Sequence, residues 1–140
     1  PRPLSVILRR PVFLYSVLAQ TIAFSSMSNL MVGTPVAMKY NEFSFDDSTA
    51  VMEVHMVAMF MPALFTGDII AKLGLVVTIL TGLLGLVLGS SLMHTGHKEF
   101  WTYMAGNVFL GIGWAWAYVA ASSLCLRQFR MCEKAVVQSI

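Results

Sequence analysis

Charge is what this sequence has least of. Asp, Glu, Lys and Arg make up 11% of its 140 residues, against about 25% in soluble domains. The remainder is apolar to match, with 57% hydrophobic residues and a mean hydropathy of +0.74. A soluble domain is excluded on that balance. A net charge of +2 offers no basic surface that would indicate a nucleic-acid partner. Cysteine is also scarce: Cys125 and Cys132 form no C-x-x-C pair and no metal-ligand cluster, so neither a disulfide framework nor a zinc site follows, and no cofactor is expected. The chain opens on Pro1-Arg2-Pro3 without an initiator methionine or the regions of a signal peptide. The expectation is an internal piece of a longer protein.

The few charges that exist divide the chain into uncharged spans. These predict membrane helices over about 11–38, 48–67, 73–93 and 100–126, with a fifth starting from about 132. Each of the four meets the ~20 apolar residues a membrane helix needs. The expected fold class is all-α and integral to the membrane, with four transmembrane helices. Placing the N-terminus inside puts Arg2, Arg9, Arg10, Lys72, Arg127, Arg130 and Lys134 on one side, and only Lys39 and Lys98 on the other. That bias makes both ends of the segment cytoplasmic, in a plasma or inner membrane.

Polar side chains inside the spans are the candidate functional residues. In the first span Gln20 and Asn29 need partners at membrane depth, either as interhelical glue or, for Asn29, as a substrate contact. Pro35 should kink this helix near its end. In the second span Glu53 and His55 stand two residues apart, which turns them about 200° from each other on a helix. One can face a central cavity only while the other packs against a neighbour. An imidazole changes charge near neutral pH, and an ionisable group at this depth is a functional candidate. The third span holds only small or weakly polar interruptions, among them the G-x-x-x-G of Gly85 and Gly89, read as a packing face. In the fourth, Trp101 and Tyr103 suit an interfacial belt, whereas Asn107, Gly111, Gly113, Trp114 and Trp116 lie deeper and read either as packing or as a cavity lining.

One stretch carries more information than its composition. From Glu53 to Gly74 the sequence is E-V-H-M-V-A-M-F-M-P-A-L-F-T-G-D-I-I-A-K-L-G. Gly67, Asp68, Lys72 and Gly74 fit G-x-(L/I)-x-x-(R/K)-x-G, two glycines flanking a basic residue between apolar runs. Together with His55, Met59-Phe60 and Pro62, this resembles the helix-loop-helix hinge of the major facilitator superfamily of secondary transporters. Two further stretches resemble the same family. The run M-S-N-L-M-V-G-T-P-V-A-M is similar to the end of its helix 7. Glu133, Lys134 and Gln138 are similar to the start of the helix after the fourth span, although Met131-Cys132 replace the family's proline. Leu75 also stands where the family often has a further basic residue.

The resemblance covers nearly the whole chain and implies helices 7–10 of a twelve-helix bundle, the start of its C-terminal half. It implies alternating access between two halves, with the first, second and fourth helices on the cavity and the third peripheral. Its partners would be the remaining helices of the same transporter, the lipid bilayer and a small-molecule substrate. The glycine hinge would be a tight loop in which Gly67 tolerates only small residues. Substrate or coupling candidates are His55, Glu53, Asn29, Asn107 and Trp114; coupling is expected at His55, because the family more often has glutamine at the Glu53 position. Two rival classes are a four-span structural subunit, which would have no use for Glu53 or His55 in lipid, and a small multidrug exporter, which would carry a carboxylate in its first helix.

Overall fold

The computed structural model describes residues 9–95 and 99–128. Four helices follow one another: α1 (Pro11–Tyr40), α2 (Phe45–Leu73), α3 (Leu75–Thr95) and α4 (Phe100–Leu126). The expected fifth helix from about 132 lies outside the described residues.

Local chemistry explains where the helices start and stop. α1 opens with Pro11 at its first position, where a missing N–H costs nothing. It ends in a Schellman turn. The N–H of Phe43 donates to the Met38 carbonyl at 3.1 Å and that of Glu42 to the Lys39 carbonyl at 3.2 Å. This turn needs a left-handed residue, and Glu42 supplies it at φ 65° where glycine is usual. α2 starts on a capping box. The Ser44 side chain accepts from the Asp47 N–H, and the Asp47 carboxylate accepts from the Ser44 N–H. Asp46 and Asp47 also place negative charge at the positive helix end.

The expected loop at Gly67 to Lys72 is helical instead. α2 runs through it unbroken, and the chain turns at Gly74 alone, with φ 84°. The physical reason is that a single glycine inside a helix costs only about 1 kcal/mol. Ile69, Ile70 and Ala71 continue the helix, so Gly67 does not break it. Gly74 accepts the left-handed geometry that reverses the chain into α3.

α4 sits at the centre and packs against all three other helices, most closely α3, while α1, α2 and α3 touch one another little. The sequence makes this possible with small residues. Gly106, Gly111, Gly113, Ala115, Ala117, Ala120 and Ala121 are all buried along α4. On the α3 side Gly82, Gly85 and Gly89 meet them backbone to backbone. A Cβ on Gly113 would stand 2.7 Å from the Gly82 carbonyl oxygen, and one on Gly89 would stand 2.7 Å from that of Gly106. Glycines on both helices allow the approach, and dispersion across it holds membrane helices together where lipid offers no hydrophobic gain. The G-x-x-x-G of α3 is thus a seam within the chain. The opposite face of α3, with Val76, Leu80, Leu84 and Val87, is exposed.

Three of these helices, α2, α3 and α4, are long and apolar enough to cross a membrane. α1 is not among them, although it is the longest at 30 residues. Its middle, Gln20 to Asn29, is diluted by serines, a threonine and two amides.

Candidate functional site

The polar centre of the described residues lies where α1, α2 and α4 meet. Gly111 has no side chain, so α2 comes in against α4: a Cβ there would stand 3.0 Å from the His55 carbonyl oxygen and from two Ala58 atoms. That approach buries His55 to 1% exposure. Its Nδ1 lies 2.8 Å from the backbone oxygen of Asn107, and its Nε2 lies 3.3 Å from the Met27 sulfur on α1. A carbonyl oxygen only accepts, so Nδ1 carries a hydrogen and donates. The tautomer follows: in the neutral ring Nε2 holds a lone pair that faces a thioether. A proton taken at Nε2 turns that contact into an N–H···S bond. His55 therefore joins three helices.

Asn107 takes part through its backbone only. Its side chain is turned away from His55, donating to the Tyr103 carbonyl at 2.9 Å and lying 3.6 Å from the Met93 sulfur on α3. The Tyr103 hydroxyl in turn accepts from Asn41 at 3.0 Å, pinning the turn after α1 to α4. A second tie between α1 and α4 runs from the Ser122 hydroxyl to Gln20 Oε1 at 3.1 Å. Gln20 thus makes the interhelical bond that its place in the first span required.

The other sequence candidates are scattered around this centre. Glu53 is exposed on the opposite side of α2 from His55. Asn29 is exposed and its amide donates back to the Ser25 carbonyl at 2.8 Å. It borders a cleft between α1 and α3 together with Ser26 and Ser90, away from His55. Trp114 is half-buried and stacks on Tyr118, with ring centroids 5.1 Å apart and planes 12° from parallel. The indole N–H groups of Trp114 and Trp116 are buried with no acceptor among the described residues. His55 and Asn107 are thus brought together, while Glu53, Asn29 and Trp114 are not brought to them. Gly111, read from the sequence as packing or cavity lining, and Met27, which escaped sequence reasoning, complete the site. Met27 falls on the buried stripe of α1 with Ala19, Ala23 and Thr34, but without a partner helix nothing marks a methionine as a histidine contact.

The glycine pattern at the end of α2 divides in two. Gly67, Asp68 and Lys72 are exposed helical residues, and a Cβ on Gly67 would meet nothing within 4 Å. The expected intolerance of Gly67 to bulk therefore has no basis in the packing of α2 on α3. Gly74 is the position with a conformational requirement. Among the described residues no three His, Cys, Asp or Glu side chains are placed to hold a metal ion.

A family model described as sugar (and other) transporter matches residues 12–126. The riboflavin transporter RfnT of Brucella anthropi is 32% identical over 123 residues, which is 88% of this chain and 31% of that relative. The chain thus spans about a third of the length of the relative it matches. No solved structure matches it.

Proposed function

The chain belongs to the sugar (and other) transporter family of the major facilitator superfamily, and we propose that it forms part of a secondary transporter that carries a small organic solute by alternating access. Membership of that family and the apolar helices make it an integral membrane protein. In this reading α1 is the fourth crossing helix, its polar middle tolerated because it faces protein or a wet cavity. In this reading both ends of the segment face the cytoplasm, a placement supported by the bias of the basic residues. The remaining helices of the transporter supply the other cavity wall. Riboflavin, which the relative carries by its name, is the first substrate to test.

The observation that carries the reading is the buried imidazole joining α1, α2 and α4. Alternating access needs a contact between cavity helices that can exist in two arrangements. The His55–Met27 contact gains or loses a hydrogen bond with one proton, while the Nδ1–H bond to Asn107 stays. Proton coupling is proposed at His55, with exposed Glu53 as a modifier of substrate charge preference. The test is uptake into proteoliposomes that carry the full-length protein, driven by an imposed pH gradient. His55→Gln, which keeps a donor and bulk, should still allow counterflow exchange while losing gradient-driven accumulation. Glu53→Gln should shift the pH profile and keep accumulation. Accumulation by His55→Gln at the parental level refutes the coupling role.

A further inference from the structure

Two lone pairs face each other where α1 meets α2. His55 donates from Nδ1 to the Asn107 carbonyl at 2.8 Å, which leaves Nε2 without a hydrogen in the neutral ring, 3.3 Å from the Met27 sulfur. A thioether carries no hydrogen either, so the two atoms meet as acceptors with no donor between them. Both side chains are shut away from water, His55 at 1% and Met27 at 5% exposure. A buried imidazole nitrogen with nothing donating to it is costly. A cation seated between nitrogen and sulfur satisfies both.

The donor set decides which cation. Imidazole nitrogen and thioether sulfur suit copper(I), whereas magnesium and calcium need oxygen ligands. Structural zinc takes four ligands, and among the described residues no three His, Cys, Asp or Glu side chains gather to supply them. Charge points the same way. Both donors are neutral, and the carboxylate nearest along α2, that of Glu53, is exposed on the opposite side of the helix. With no anion to offset it, a buried divalent ion costs far more than a monovalent one, because the Born cost grows with the square of the charge. The outer support is also in place. Metal-binding histidines generally donate their other ring N–H to a carbonyl or carboxylate, as Nδ1 does here to Asn107.

Geometry sets how the ion enters. Bonds of about 2.0 Å to nitrogen and about 2.3 Å to sulfur bridge the 3.3 Å gap only when bent to roughly 100° at the ion. The linear arrangement that monovalent d10 ions favour needs a gap of about 4.3 Å with the same bonds, so the sulfur must retreat by about 1 Å. Methionine is unbranched and turns freely about its side-chain bonds, which suits that adjustment. The sparse packing of α1 on α2 leaves it room.

We propose that Nε2 of His55 and Sδ of Met27 form a binding site for a monovalent soft metal ion, Cu(I) or its analogue Ag(I), which ties α1 to α2. The site follows from donor chemistry and burial and stands apart from the transport reading. The ion takes the lone pair that a proton would otherwise take.

The test uses the full-length protein in detergent micelles, with every cysteine replaced so that no thiolate competes. Cu(I) is presented as its coloured bicinchoninate complex, and transfer to the protein is read from the loss of colour. One equivalent should transfer. X-ray absorption of the copper-loaded protein should show a nitrogen at about 2.0 Å and a sulfur at about 2.3 Å. Met27→Leu, which keeps the bulk and removes the sulfur, should weaken binding by about tenfold or more, and His55→Gln should abolish it. Met61→Leu removes an exposed thioether from α2 and should bind as the parent does. Circular dichroism checks that each variant is folded, and the absorption spectrum of the parent decides the matter without any variant. No transfer, a copper spectrum without sulfur, or binding by folded Met27→Leu as tight as by Met61→Leu overturns the proposal. Zn(II) binding as tightly as Cu(I) overturns it as well.

Discussion

Gly113→Ala should loosen the α3–α4 seam by a predictable amount. The new methyl carbon would lie 2.7 Å from the Gly82 oxygen, 2.8 Å from the Leu86 nitrogen and 3.0 Å from the Gly85 carbonyl carbon. All three are backbone atoms, so no rotamer change can make room. Carbon contacts are comfortable at about 3.5–4.0 Å, so the two helices must part by roughly 0.5–1 Å over this turn. Overpacking of that kind costs about 1–3 kcal/mol. Replacing glycine by alanine inside a helix returns about 0.8–1.0 kcal/mol, which leaves a net loss of roughly 0–2 kcal/mol, a factor of up to about 30 in the folding equilibrium. Gly67→Ala is the matched control, since its methyl meets nothing within 4 Å and only the gain remains. The assay is equilibrium unfolding of the purified protein in mixed micelles, followed by circular dichroism. Gly82→Ala should behave like Gly113→Ala, because its methyl would meet the Gly113 oxygen at 2.7 Å. The double variant should cost less than the two losses added, since one separation relieves both clashes. Gly113→Ala unfolding no more easily than Gly67→Ala would refute the reasoning, as would strict additivity.

Three further outcomes follow from single positions. Gly74→Ala should destabilise the protein by about 1–3 kcal/mol, because φ 84° with ψ 161° is backbone that essentially only glycine adopts; a midpoint equal to the parent's would show that the turn relaxes freely. Glu42→Gly should do the reverse, raising the unfolding midpoint by about 1 kcal/mol, since glycine fits the left-handed cap that Glu42 now fills at φ 65°. Thiol labelling in a background lacking Cys125 and Cys132 tests orientation. An impermeant reagent added outside should modify Ser44→Cys and leave Asp68→Cys untouched, and the opposite pattern would invert the proposed topology.

How much of this was legible in the sequence differs by level. The helices were legible because charge is so rare that its positions mark the spans, and because the family motif fixed the region around Gly74. Their ends were less so. The capping box at Ser44 and Asp47 starts α2 earlier than the uncharged span suggests, and Asp68 and Lys72 lie within the helix although they carry charge. A charge ends the apolar stretch that lipid requires but does not end a helix. That is why the glycine pattern, read as a loop, folds as helix up to the one residue with a left-handed φ.

The site was legible in kind but not in partnership. Glu53 and His55 must face apart on any helix, and they do, but periodicity cannot say which of them is inward. Gly111 decides it: the absence of a side chain on α4 draws in the face of α2 that carries His55 and Ala58, and Glu53 is left outside. The same logic explains why α4, whose tryptophans and asparagine suggested a cavity lining, became the centre of the packing. Its small residues fall on several sides at once, Gly106, Gly113 and Ala117 toward α3 and Gly111 toward α2, so each neighbour can approach its backbone. Asn107 is then spent on holding its own helix and the Met93 sulfur. The imidazole, held at Nδ1 by the Asn107 carbonyl and set against the Met27 sulfur at Nε2, is therefore the side chain through which α1, α2 and α4 meet.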